Sequence, residues 1–380
     1  MPETDAHPAR SAEVVIVYEG KDISRDIAPY LVSFSYTDNA SGKADDISVT
    51  LEDREGRWRD PWFPSKGDII RASILTREWD APDKAESLPC GTFTVDEIEC
   101  SGPPTVVVIK GVSSLTTKPM CREKHNKAWE NVKLSTIAAD IANKNGLKLF
   151  WDAPEDPFFE RRQQDEASDL AFLRGLCRDY GLGVKVTDKQ IVCYDEESYE
   201  EHEPVGTLKF GDKRITRYSF KTRTAGTYKA ARVRYHHPVK AETIEAVEED
   251  EDAEGNGRDL EINERVDTLA DAKAVAKKRL RSANKKEITG KIDMMGDLRF
   301  VGAQNLTISG WGKFSGKYAI DKATHSVRGG YTTSMELRMG GESKKSVKKK
   351  KKADKSGSGT PFGSEDETYK AGKGTTGSAK

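Results

Sequence analysis

Two segments far apart in the chain, Gly91-Thr-Phe-Thr-Val-Asp96-Glu-Ile98 and Gly316-Lys-Tyr-Ala-Ile-Asp321-Lys-Ala323, place glycine, an aromatic ring, a β-branched residue and aspartate at the same spacings. A second parallel precedes each: Lys66-Gly-Asp-Ile-Ile-Arg-Ala-Ser-Ile74 against Val301-Gly-Ala-Gln-Asn-Leu-Thr-Ile308. Matches that recur in the same order and at similar separation mark a duplicated unit. The chain must therefore fold as two related β-barrels, with the sequence between them inserted.

The strand pattern supports that division. Apolar residues alternate at Ile47-Ser-Val49-Thr-Leu51 and Ile70-Arg-Ala72-Ser-Ile74, the period of a strand with one buried face. Further strands are expected at Val14–Tyr18, Thr92–Ile98 and Val106–Ile109. Asp38-Asn39, Ser65-Lys-Gly67 and Gly102-Pro-Pro104 read as turns between strands. In the middle, Leu134, Ile137, Ala138 and Ile141 recur at helical spacing, and Gly146 stands where a helix would end. Leu170, Leu173, Leu176, Cys177 and Tyr180 form a second helical stripe, with Asp165 or Ser168 as its N-cap. Strands at Gly183–Thr187 and Gln190–Tyr194, joined at Asp188-Lys189, complete an α+β insertion.

The resulting expectation is a mainly β, α+β chain. Its parts are a flexible N-terminus over 1–11, a first barrel over 12–126, an α+β insertion over 127–203 and a second barrel over 204–340. Within the second barrel the acidic stretch around Glu245–Glu254 predicts a solvated loop over 241–267, followed by a helix over 269–283 capped by Thr268. From 341 to 380 the chain is Gly, Ser, Lys and Thr with almost nothing apolar, so it is expected to be a disordered tail.

Composition excludes several classes. The formal net charge of -1 gives no global bias toward nucleic acid. No stretch approaches the ~18 apolar residues that a membrane span needs. The N-terminal Met-Pro-Glu-Thr-Asp lacks the apolar core of a secretory signal, which points to synthesis in the cytoplasm of the producing cell. Cys90, Cys100, Cys121, Cys177 and Cys193 are scattered, without a CxxC pair, and read as reduced thiols.

Catalytic and metal-binding patterns are missing from the sequence. Asp165-Glu166 and Asp169 lie at an expected helix start, where acids favour the helix dipole. Asp96 and Asp321 read as repeated turn or register chemistry because the echo places them alike. The histidines are His7, His125, His202, His236, His237 and His325. His236 and His237, adjacent on a strand, point to opposite faces and cannot chelate one metal together. There is no HExxH, GxSxG, GxxxxGK[ST] or strand-borne GxGxxG pattern. No catalytic, cofactor or metal residue is therefore expected. The lysine run at Lys344, Lys345 and Lys348–Lys352 has no interleaved aromatic residues to stack bases and reads as a solvated linker or partner-docking tail, ahead of a nucleic-acid site.

Several stretches resemble the phage late control protein D family, the tail-hub proteins that include those of PBSX-like defective prophages. They are Asp45-Asp-Ile-Ser-Val-Thr-Leu-Glu-Asp53 with Gly56-Arg-Trp58, Gly91–Asp96, Gly316–Asp321 with Gly329–Thr333, and Arg162-Gln-Gln-Asp-Glu-Ala-Ser-Asp-Leu-Ala-Phe-Leu173 running into Tyr180-Gly-Leu-Gly183. The last is the most specific, and it is also similar to the hub part of type VI secretion spike proteins. The resemblance implies two tail-tube-like barrels flanking the insertion and a homotrimer. In it three chains present six similar barrels to a hexameric tail tube above and a three-fold spike below. It further implies contacts with other baseplate components and a tape-measure protein, a place in the virion tail baseplate or a released tail-like particle, and no membrane or specific nucleic-acid partner. No fused spike repeat is present, so the spike is expected to be a separate chain. Two other classes compete with the hub: a peptidoglycan-degrading baseplate enzyme and a nucleic-acid-binding late regulator.

Overall fold

The computed structural model describes residues 9–113, 119–187, 189–237, 242–250 and 259–341. The first part of the chain runs β1 (Ser11–Tyr18), β2 (Lys21–Asp22), α1 (Ser24–Ile27), β3 (Leu31–Asn39), β4 (Asp46–Glu52), β5 (Ile69–Arg77), β6 (Ala85–Ser101) and β7 (Val106–Ser113). Alternation decides which face is inside: Ile47, Val49 and Leu51 of β4 and Ile70, Ala72 and Ile74 of β5 are buried together with Phe34, Phe93 and Trp58. Strand structure begins within the segment expected to be flexible, because Ser11 pairs with Arg77. Residues 1–8 lie outside the described residues.

The middle runs α2 (Pro119–Arg122), β8 (Lys124–Lys133), α3 (Leu134–Lys144), β9 (Lys148–Asp152), β10 (Phe158–Ser168), α4 (Asp169–Asp179), β11 (Leu182–Val186), β12 (Gln190–Asp195) and α5 (Glu196–Glu201). Both expected helical stripes are buried against one another. The α4 cap is Ser168, whose hydroxyl accepts from the Ala171 N–H at 3.3 Å. Asp165 does not cap, because β10 stays extended along its ladder with β8 as far as Ser168. That ladder escaped the sequence reading because its residues are mostly polar and exposed on both faces. Asp188 lies outside the described residues.

The last part runs β13 (Thr207–Lys209), β14 (Ile215–Thr222), β15 (Ala230–His237), β16 (Glu242–Glu249), β17 (Asp259–Ile262), α6 (Leu269–Asn284), β18 (Ile288–Met295), β19 (Asn305–Ser309), β20 (Gly316–Val327) and β21 (Tyr331–Met339). The solvated loop expected over 241–267 is corrected at both ends. β15 pairs with β16 on one side and β17 on the other, and residues 238–241 and 251–258 lie outside the described residues. The glutamates of β16 deceived the composition argument: they flank Ala246, which is buried, and largely take the exposed positions. Thr268 caps α6 as expected, accepting from the Asp271 N–H at 3.1 Å. However, Val275, Ala276 and Leu280 of α6, with Ala231 and Val233 of β15, share the core of the middle segment and not that of the second β-unit. The tail placed at 341–380, with its lysine run, lies from 342 onward outside the described residues.

The echoing segments belong to one 13-stranded sheet. Its first half runs β3-β4-β7-β6-β5-β1 and its second half β14-β18-β21-β20-β19-β13. The halves join where β20 pairs antiparallel with β3, from Lys322 opposite Asn39 to Val327 opposite Phe34.

Candidate functional site

The two halves of the sheet match rung by rung. Ile70 faces Phe93 in the first, and Leu306 faces Tyr318 in the second; Ala72 faces Gly91 as Ile308 faces Gly316. At the strand entry, Gly67 N–H donates to the Val95 carbonyl at 2.9 Å and Ala303 N–H to the Ile320 carbonyl at 3.0 Å. Both residues are left-handed, with φ of 97° and 67°. The sequence echo had set Gly302 against Gly67; the hydrogen bonds move the match by one residue to Ala303. On the next strands, Ile109 faces Ile98 and Val49, while Met335 faces Ala323 and Ile292. The rung ends on Phe34 in β3 and on Tyr218 in β14, so Phe34-Ser-Tyr36 and Tyr218-Ser-Phe220 hold equivalent places.

Asp96 and Asp321 are brought into equivalence, not into contact. Register shifts between Val95 and Glu97 and between Ile320 and Lys322 make each aspartate the extra residue of a β-bulge. That is repeated register chemistry, as the spacing implied.

The seam between the halves is densely bonded. Asp38, read as a turn residue, sits inside the end of β3, where its carboxylate holds two partners. Lys185 of β11 pairs with it, the Gly302 N–H donates to it at 2.9 Å, and it is almost fully buried. A Cβ on Gly302 would meet the Ala40 nitrogen at 2.9 Å, so glycine permits this approach. Burial, opposed by Lys185 and reinforced by Asp38, pushes the nearby Asp45 carboxyl up to about 6. Lys185 itself stays above the usual lysine range: burial lowers it, but Asp38 and Asp45 outweigh that. His325 of β20 stacks on Tyr36 with ring centres 6.2 Å apart, meets the Tyr331 hydroxyl at 2.7 Å and the Phe300 carbonyl at 3.1 Å. Burial holds its imidazole down to about 4, so it is neutral at physiological pH. Below the seam, Arg338 joins Asp321, at 2.6 Å, to Glu200 of α5, which also takes a bond from Arg281 of α6 at 2.7 Å.

Asp169 is buried at the start of α4; burial raises its carboxyl, but bonds from Gln164 and Lys144, each at 3.0 Å, bring it below the usual range. Asp165 and Glu166 lie on β10 beside it. Burial pushes Asp179 up to about 6, and its partner at 3.1 Å is the Arg279 guanidinium. Among the described residues, no three His, Cys, Asp or Glu side chains cluster closely enough to hold a metal ion. All five cysteines are free thiols. No described helix is long and apolar enough to cross a membrane. The lysine run at Lys344, Lys345 and Lys348–Lys352 lies outside the described residues. Sequence reasoning missed Lys185, Asp38, His325 and Arg338, since each acts across elements distant in the chain.

No family model matches the chain. Over 188 residues, 48% of its length, it is 29% identical to the probable baseplate hub protein of Escherichia phage P2. The match takes in 45% of that protein, so the chain spans about half the length of the curated relative it matches. In fold it follows a tail protein from Neisseria meningitidis, with a TM-score of 0.66 at 14% identity over 87% of this chain and 97% of that one. It also follows an E. coli component of the type VI secretion system, with a TM-score of 0.51 at 14% identity over 83% of this chain and 74% of that one. About half of the chain is thus similar in sequence to phage baseplate hub proteins, and its fold is similar to that of a phage tail protein and a type VI secretion component.

Proposed function

We propose that this chain is a structural baseplate hub of a contractile phage tail or a related injection particle. Three copies form an adaptor between a six-fold tail tube and a three-fold spike. The observation that carries this is the duplication itself. One chain presents two β-units equivalent in register and hydrogen bonding, joined edge to edge, so three chains offer six similar units around a three-fold axis. The first and second units are then the tube-facing barrels, and the middle segment with α6 is a brace outside them. The function is binding, not catalysis: Asp45 of the first unit pairs with Lys185 of the brace, and Asp179 pairs with Arg279 inside it.

Light scattering on the purified chain, alone and mixed with its tube and spike chains, tests this. The expected mass is that of three copies, either at once or on adding the spike. A chain that stays a monomer or dimer and ignores both partners would overturn it.

A further inference from the structure

The arginines enclosed in this fold are elsewhere held by acids. Arg338 is held by Asp321 and Glu200, Arg279 by Asp179 and Glu264, and Arg281 by Glu197 and Glu200. Arg174 of α4 is the exception. It is half-buried, its Nε is shut off from solvent, and it makes no hydrogen bond or ion pair among the described residues. Burial pulls its guanidinium below the usual arginine range, and the Cys121 thiol opposes that where the others have a carboxylate. A guanidinium cannot escape by giving up its proton, so it stays a charge in search of a counter-charge.

Arg174 lines a cavity of about 380 Å³ between the first β-unit and the middle segment. The turn from β3 to β4 contributes Lys43, β11 contributes Lys185, and the start of α4 contributes Ser168. Lys185 is committed to Asp38 and Asp45, but Lys43 is exposed and forms no ion pair among the described residues. Asp45 is the one acid in the lining, against three cations. A water molecule occupies about 30 Å³ of liquid, so the space admits a small polyatomic anion. We propose that this cavity binds a carboxylate, which Arg174 grips through its guanidinium fork while Lys43 closes over it. The fork matches the two oxygens of a carboxylate, and a single negative charge satisfies Arg174. A doubly charged phosphate would press against Asp45. The carboxylate comes either from a small organic acid or from an acidic side chain of another chain.

Lys43 and Asp45 belong to the first β-unit, Arg174 and Lys185 to the middle segment, so a bound carboxylate ties the two together. The site stands whether or not the chain is a hub. A role in binding and a role in holding the fold also predict opposite signs. Replacing an arginine that an acid holds destabilises the fold, because the acid is left alone. Replacing this one by methionine keeps the apolar stem and strands no acid.

Urea unfolding and calorimetric titration of the full chain test this, in chloride, in glutarate and with the peptide acetyl-Glu-Asp-Glu-amide at equal ionic strength. Glutarate stands for a free organic acid and the peptide for an acidic segment of another chain. At least one should raise the midpoint above that in chloride and saturate at one ligand per chain. In Arg174→Met the midpoint in chloride should be unchanged or higher, and the Kd should rise about tenfold or more. Lys43→Gln, on an exposed turn, should fold as the natural chain does and bind about threefold more weakly. Tighter binding of the peptide assigns the site to another chain, and tighter binding of glutarate assigns it to a free acid; both support it. No response to either ligand beyond that to chloride overturns it. So does binding that both variants leave intact, or a loss of stability in Arg174→Met in chloride alone.

Discussion

The first and second β-units share a hydrogen-bond plan yet differ in what lies at their edges. β3 of the first is covered by β20 of the second, which buries Phe34, Tyr36 and His325 between them. β14, in the same position of the second unit, leaves Tyr218 exposed at the end of the sheet. Geometry common to both units therefore specifies the fold, and edge chemistry specifies the use. Where the seam is internal it is lined with a buried aromatic stack, a neutral histidine and an aspartate bonded from two sides. Where the seam is open it carries serines and exposed charges, which tolerate water until something covers them.

The largest effect that could break this comparison lies in its aromatic pair. Phe34→Ala removes a fully enclosed ring and is expected to cost about 4 kcal/mol of stability. Tyr218→Ala in the free chain is expected to cost less than about 1 kcal/mol, since much of its ring already meets water. Urea midpoints of the two variants give the answer; equal losses would mean that the two edges are alike after all.

Next comes the histidine of the internal seam. Its folded value, about 4, lies below the ordinary 6.5. The unfolded chain therefore binds a proton between those values that the folded chain refuses, and stability falls as pH drops from 6.5 to 4. The shift corresponds to about 3 kcal/mol. Asp45 and Asp179 act in the opposite sense, because their raised carboxyls favour the folded chain as pH falls. The clean quantity is the difference between the natural chain and His325→Gln: the natural chain should lose about 3 kcal/mol more across that window. Parallel pH profiles for the two proteins would show that His325 is not the buried neutral group described.

Much of this fold was legible in local pattern. Strict alternation marked β4 and β5, and the two stripes at Leu134–Ile141 and Leu170–Tyr180 marked the helices, because each encodes its buried face within a few residues. The Gly91–Asp96 and Gly316–Asp321 echo pointed to the duplication, though not to the bulges that its aspartates occupy. What stayed hidden depends on residues that meet only after folding. The glutamates of β16 read as loop because composition does not say that Ala246 between them is buried. Asp38 read as a turn residue because nothing near it in the chain announces Lys185 or the Gly302 N–H. Packing of α6 against β15, and not against the second unit that surrounds it in sequence, is likewise a long-range choice that no local period records.

The bulge aspartates give the smallest and finest test of the comparison. Both are the extra residue of the same bulge, but their neighbours differ: the strand partner of Ala319 is Arg338, and that of the equivalent Thr94 is Val112. Arg338 is nearly buried and bonds Asp321 at 2.6 Å, so Asp321→Ala leaves a guanidinium held by Glu200 alone. A loss of about 2 kcal/mol is expected, the scale of one charge-assisted bond taken from a buried partner. Asp96 is exposed and has a valine where Asp321 has its arginine, so Asp96→Ala should change stability by about 0.5 kcal/mol or less. Chemical denaturation of the two variants side by side resolves the difference. If both lose the same amount, the carboxylates serve the bulge backbone itself. If only Asp321 matters, duplication kept the bulge in both units and Arg338 gave one of them a second task, tying the second β-unit to α5 and α6.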